Sequence, residues 1–120
     1  MSTWTRVVGN IQVDGLPGMG NSTVAKLEEI LGPIDTFYEP NEACTMPMGS
    51  EGSLQYRIIE YDSGLPWVTI PIWGDLRHFE DLEAIEKWFY EILAKLQFVR
   101  DAVLLAECNG RQILIRDKKE

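Results

Sequence analysis

Alternation opens the chain. From Thr3 to Val13, "TWTRVVGNIQV", Thr5, Val7, Gly9, Ile11 and Val13 fall on one side. Trp4, Arg6, Val8, Asn10 and Gln12 fall on the other. A period of two is the mark of a half-buried strand, and a glycine inside one points to a bulge or a close neighbour. "DGLPGMGNS" then reads as a loop over 14–22, with Asn21 or Ser22 as the cap of a helix. Val24, Leu27, Ile30 and Leu31 recur at helical spacing, and Gly32-Pro33 supplies a stop.

Residues 34–52 show no period and read as a long irregular loop, the kind that is usually functional or mobile. "SLQYRIIEY" over 53–61 is expected to be a second strand, and "WVTIPIW" over 67–73 a third with Val68, Ile70 and Ile72 inward. Pro71 has no N–H for a ladder, so this strand is expected at an edge or locally broken there. Leu82, Ile85, Phe89, Ile92 and Leu96 mark the most regular helix, supported by Glu83–Lys87 and Glu91–Lys95 four residues apart. "DAVLLAEC" and "RQILIRD" flank Asn109-Gly110, the dipeptide that best signals a two-residue hairpin.

The expected order is β-α-β-β-α-β-β over one domain, 1–120. It implies an α+β fold: an antiparallel-rich sheet of about five strands with two helices on one face, in a ferredoxin-like arrangement. The chain has 120 residues, 45% apolar and 25% charged, as an ordinary globular domain has. No apolar run reaches the length of a membrane span, and the first residues carry no basic, then apolar, leader pattern. Cys44 and Cys108 form neither a disulfide framework nor a metal pattern, which suits a reducing, cytoplasmic setting.

Charge changes the picture more. The net charge is −8, and residues 27–91 hold 14 of the 19 acids. Such a middle repels phosphates and argues against direct nucleic-acid binding. It either keeps the protein soluble or docks on a basic groove of a partner.

Candidate chemistry is sparse. The 14–22 loop has neither GxxxxGK[ST] nor GxGxxG, so it is read as a connection, not a phosphate cradle. His78 stands among Asp75, Arg77, Glu80 and Asp81 with no nucleophile or second histidine near it. The plainer reading is a handover: the chain turns at Gly74, Asp75 caps the next element, and Arg77 and His78 are solvated. Cys44 has Glu39, Glu42 and Glu51 around it, which disfavours a thiolate, and Cys108 reads as packing. No catalytic residue, cofactor or metal site is expected. Trp4, Trp67, Trp73 and Trp88 are many tryptophans for this length, and Trp88-Phe89-Tyr90 on one helix cannot all face inward. Exposed aromatics at a rim suit an interface.

"WTRVVGNIQVDG", "GSEGSLQYRI", "IPIWGDLRHFE" and "LLAECNGRQILI", in that order, resemble small phage- and prophage-encoded proteins of Gram-positive bacteria. The resemblance implies an accessory role in infection through binding to host machinery, including inhibitors of CRISPR-type defence, in the host cytoplasm. It supplies no catalytic residue. The expected function is therefore non-catalytic binding of a host protein, with nucleic-acid-binding proteins among the candidates. The expected face is Trp67, Trp73, Asp75, Arg77 and Glu80, together with the 39–52 loop. A small-ligand module using the 14–22 and 39–52 loops, and a self-assembling or homodimeric protein using an edge strand, are the alternatives.

Overall fold

The computed structural model describes residues 3–14, 20–33, 46–49, 52–60, 67–96 and 99–118. Strand β1 runs Trp4–Asp14, helix α1 Gly20–Leu31, and two short strands come next, β2 Gln55–Tyr56 and β3 Ile59–Glu60. Strand β4 spans Trp67–Arg77, helix α2 Leu82–Lys95, and strands β5 Val99–Cys108 and β6 Arg111–Lys118 close the fold. The sheet order is β2-β4-β1-β5-β6, with β3 also paired to β4, and every pairing is antiparallel. Counting β2 and β3 as one interrupted row, this is an α+β fold with a five-row antiparallel sheet and two helices.

β1 is the central strand, paired along its length with β4 on one side and β5 on the other. Val7, Ile11 and Val13 are buried, as is Thr5, whose hydroxyl donates to the Phe79 carbonyl. Gly9 is the close-neighbour glycine: a Cβ there would lie 2.6 Å from Leu104 Cδ1 and 2.7 Å from the Val103 carbonyl oxygen of β5. One core unites the inward side chains of the sheet with Leu27 and Leu31 of α1 and with Leu82, Ile85, Trp88, Phe89, Ile92 and Leu93 of α2. Full burial of one such side chain contributes roughly 1.5–3 kcal/mol. α2 packs on β5 and β6 and touches α1. Tyr56 donates its hydroxyl hydrogen to the Gly32 carbonyl at 2.7 Å, tying the end of α1 to β2.

Four sequence expectations need correction. The stretch 53–61 is not one strand: the ladder to β4 breaks between Tyr56 and Ile59. β4 does not end near Gly74 but runs on to Arg77, because β1 offers partners as far as Trp4. Gly74 serves a close crossing instead, where a Cβ would lie 2.8 Å from the Ser53 carbonyl oxygen. Asp75 is therefore a strand residue, and the helix cap is Asp81, whose carboxylate accepts from the Ala84 N–H at 3.0 Å. The turn itself falls at His78, which has φ 58°. Finally, α1 begins at Gly20, so Asn21 and Ser22 lie inside it and not at its cap.

Pro71 takes neither of the two routes expected for it: β4 runs unbroken through Asn10↔Pro71, and only the ladder on its other side lapses there. β4 is interior, with β1 on one side and β2 and β3 on the other. The Arg57 N–H donates to the Pro71 carbonyl at 3.3 Å, so the backbone of Pro71 is turned toward β2 and β3. Arg57 and Pro71 stand opposite each other in the register that β2 and β3 share, and the return bond to the Arg57 carbonyl, which proline cannot donate, is the one the ladder lacks between the two pieces. The hairpin expectation holds in detail: Asn109 and Gly110 have φ 51° and 79°, and β5 and β6 keep one register from Cys108↔Arg111 to Asp101↔Lys118.

Candidate protein-binding face

In a strand successive side chains point to opposite faces, and residues directly opposed across a ladder share a face. The helices cover the face that carries Val7, Ile11, Ile70, Ile72 and Leu104. The opposite face therefore carries Trp4, Arg6, Val8 and Asn10 of β1, Trp73, Asp75 and Arg77 of β4, and Val103, Leu105 and Glu107 of β5. Register then aligns a row across the sheet: Trp73 opposes Val8, Val8 opposes Leu105, and Leu105 opposes Leu114 of β6. All four are apolar and open to solvent: Trp73 by 41%, Val8 by 53%, Leu105 by 36% and Leu114 by 69%. Single exposed apolar residues are ordinary; here four stand side by side over four strands.

Charges flank the row and largely cancel. Beside Trp73 and Val8, Arg6 Nε sits 3.4 Å from Asp75 Oδ1. Nearer the other end of the strands, Arg116 pairs with Asp101 at 3.3 Å and Arg100 with Asp14 at 3.5 Å. Such exposed pairs add little stability. Their consequence is local neutrality on a molecule of charge −8. Much of the negative charge lies on the helical layer: Glu28 and Glu29 on α1, and Glu80, Asp81, Glu83, Glu86 and Glu91 in and before α2, are exposed.

Of the residues singled out in the sequence, Trp73, Asp75 and Arg77 stand at alternate positions of β4 on this face, and Trp67 opposes Asp14 at the strand's start. Arg77 opposes Trp4, itself exposed. Glu80 stands apart, beyond the end of β4 in the link to α2. Of the 39–52 loop, 39–45 and 50–51 lie outside the described residues, as do 15–19 of the 14–22 loop and Cys44. Met46–Gly49 and Gly52 run beside β4: a Cβ on Gly49 would collide with Arg77 backbone, and one on Gly52 with the Asp75 carbonyl. A backbone bond from the Gly49 N–H to the Gly52 carbonyl, 3.0 Å, holds this return. Trp88 is buried beside Phe89, with ring centroids 6.3 Å apart, and Tyr90 is the exposed member of the aromatic triplet. Cys108 is buried, its sulfur 3.9 Å from the Phe79 carbonyl. Among the described residues no group of three His, Cys, Asp or Glu side chains is placed to hold a metal ion.

No protein family, curated protein or solved structure matches the chain.

Val8, Leu105 and Leu114 are not singled out by sequence reasoning. Their signal is present as apolar neighbours, Val7-Val8, Leu104-Leu105 and Ile113-Leu114-Ile115. With a period of two, one of each set must face outward.

Proposed function

We propose that this protein acts without catalysis, by binding another protein through the outer face of its sheet. The observation that carries the reading is the Trp73–Val8–Leu105–Leu114 row, apolar, exposed and flanked by charges paired within the chain. Such a face selects a partner surface that is itself apolar and close to neutral, since a strongly charged groove would gain nothing from acids already paired. In the phage setting that the resemblance implies, the target is a host protein of nucleic-acid handling or defence. A target met through a basic groove would engage the acidic helical layer instead, on the other side of the molecule.

The same reading takes the fold as ferredoxin-like. The β-α-β-β-α-β unit is β1, α1, the β2/β3 row, β4, α2 and β5, with β6 appended at one edge. Its support is the order in which β4 and β5 flank β1.

The test is capture from a Gram-positive lysate by the wild type and by two variants. A partner held by the wild type, held by Glu83→Lys/Glu86→Lys, and lost at least about tenfold with Trp73→Thr supports the sheet face. Threonine suits a strand, so the fold is kept. A partner lost with the helix variant and kept with Trp73→Thr overturns this face in favour of the acidic layer. No partner for the wild type overturns the binding reading.

A further inference from the structure

β6 is the one long edge strand described. Its eight residues keep a single register with β5, without a bulge, and among the described residues nothing pairs with its other side. Natural edges are blunted by central charges, proline, bulges or brevity. The opposite edge has brevity, in the two-residue β2 and β3. β6 has none of these devices between Arg111 and Arg116, where it reads Gln112-Ile113-Leu114-Ile115.

We infer that β6 pairs antiparallel with β6 of a second copy, about a two-fold axis at Leu114, joining two sheets into one. The backbone is set for it. In a two-residue hairpin the pair flanking the turn, here Cys108 and Arg111, exchanges hydrogen bonds. The polar groups of Arg111, Ile113, Ile115 and Asp117 therefore face β5, and those of Gln112, Leu114 and Arg116 face outward. A two-fold at Leu114 pairs Leu114 with Leu114, and Gln112 with Arg116 on either side, so every outward donor meets an outward acceptor.

The side chains choose the register. With Leu114 on the axis, Ile113 of one copy opposes Ile115 of the other on the core side. Arg111 opposes Asp117 twice, once in each half, and both are exposed in the single chain. On the outer face the two Leu114 side chains meet, so the apolar row of one copy continues into that of the other. A shift of two residues one way sets Leu114 against Gln112 and Arg111 against Ile115. The same shift the other way sets Leu114 against Arg116 and Ile113 against Asp117. Only the central register matches apolar with apolar and cation with anion. An isologous contact of this kind closes at two copies. It goes beyond the partner-binding face and does not depend on it.

Analytical ultracentrifugation of the full chain tests this. The wild type is expected to sediment at twice its 13.7 kDa as concentration rises. Arg111→Asp and Asp117→Arg should each weaken the dimer at least about tenfold, and the double variant should restore it, since the opposed charges are then exchanged and again complementary. Leu114→Pro removes an outward N–H without breaking a β5 bond, and should give a folded monomer with an unchanged circular dichroism spectrum. Hydrogen exchange should show the Gln112, Leu114 and Arg116 amides protected in the dimer and the Gln112 and Arg116 amides released in that variant. A wild type that stays monomeric at every concentration overturns the inference. So does a dimer insensitive to both charge reversals, or single reversals that the double variant does not rescue. Capture of a host partner by the monomeric Arg111→Asp variant, which keeps all four residues of the row, would leave the proposed face standing whatever happens to the dimer.

Discussion

At Gly9 the central strand passes too close to β5 for any side chain. The Leu104 methyl could swing aside, but the Val103 carbonyl oxygen at 2.7 Å belongs to the ladder and cannot. Gly9→Ala is therefore expected to cost about 1–3 kcal/mol, as overpacking does, read as a lower denaturation midpoint with an unchanged slope. Gly110 makes the opposite case. Nothing lies within 4 Å of its absent Cβ, and only its φ of 79° resists substitution. Gly110→Ala should cost about 1–2 kcal/mol, with the pairing of β5 and β6 intact by NMR. The sequence marks both glycines as special, one inside an alternating strand and one after an asparagine. It cannot say which neighbour crowds Gly9, because that atom lies more than ninety positions along the chain.

The elements show where local pattern suffices. α2 is legible from its stripe, and its triplet resolves as Trp88 and Phe89 inward, Tyr90 outward. Phe89→Ala should cost about 3–5 kcal/mol and Tyr90→Ala under about 0.5 kcal/mol, both measured by chemical denaturation. Asp81→Ala should cost about 1 kcal/mol through the lost bond to the Ala84 N–H. β4 shows where pattern fails. Its inward residues are plain in the sequence, but its length is not, since Gly74 reads as a stop when the crossing chain at Ser53 and Leu54 is unseen. Because Pro71 faces the break between β2 and β3, Pro71→Val should change stability by less than about 1 kcal/mol in a thermal melt. A larger loss would mean that the proline itself keeps that break open.

Across the whole molecule, sheet and helices share one core, so unfolding should be a single cooperative step. Tryptophan fluorescence and far-ultraviolet circular dichroism are expected to give coincident transitions for the wild type and for Phe89→Ala. Two separated transitions would show that the helical layer melts apart from the sheet. At this scale charge and apolar surface separate: exposed acids line the helices, and the open side of the sheet carries an apolar row flanked by ion pairs. Sequence alone joins Glu80 to Trp73 in one face. They are near in the chain, but β4 ends at Arg77 and Glu80 stands beyond it in the link to α2.

The sequence by itself determined the kinds and order of most elements, the residues that turn inward, and the hairpin at Asn109-Gly110. These come from periodicity and turn chemistry, which act over a few residues. Only the tertiary structure decided how far β4 extends, that 53–61 is broken in two, and that Trp73, Val8, Leu105 and Leu114 stand in one row. Each of those depends on which strand lies alongside and in what register, a choice made by contacts between distant parts of the chain.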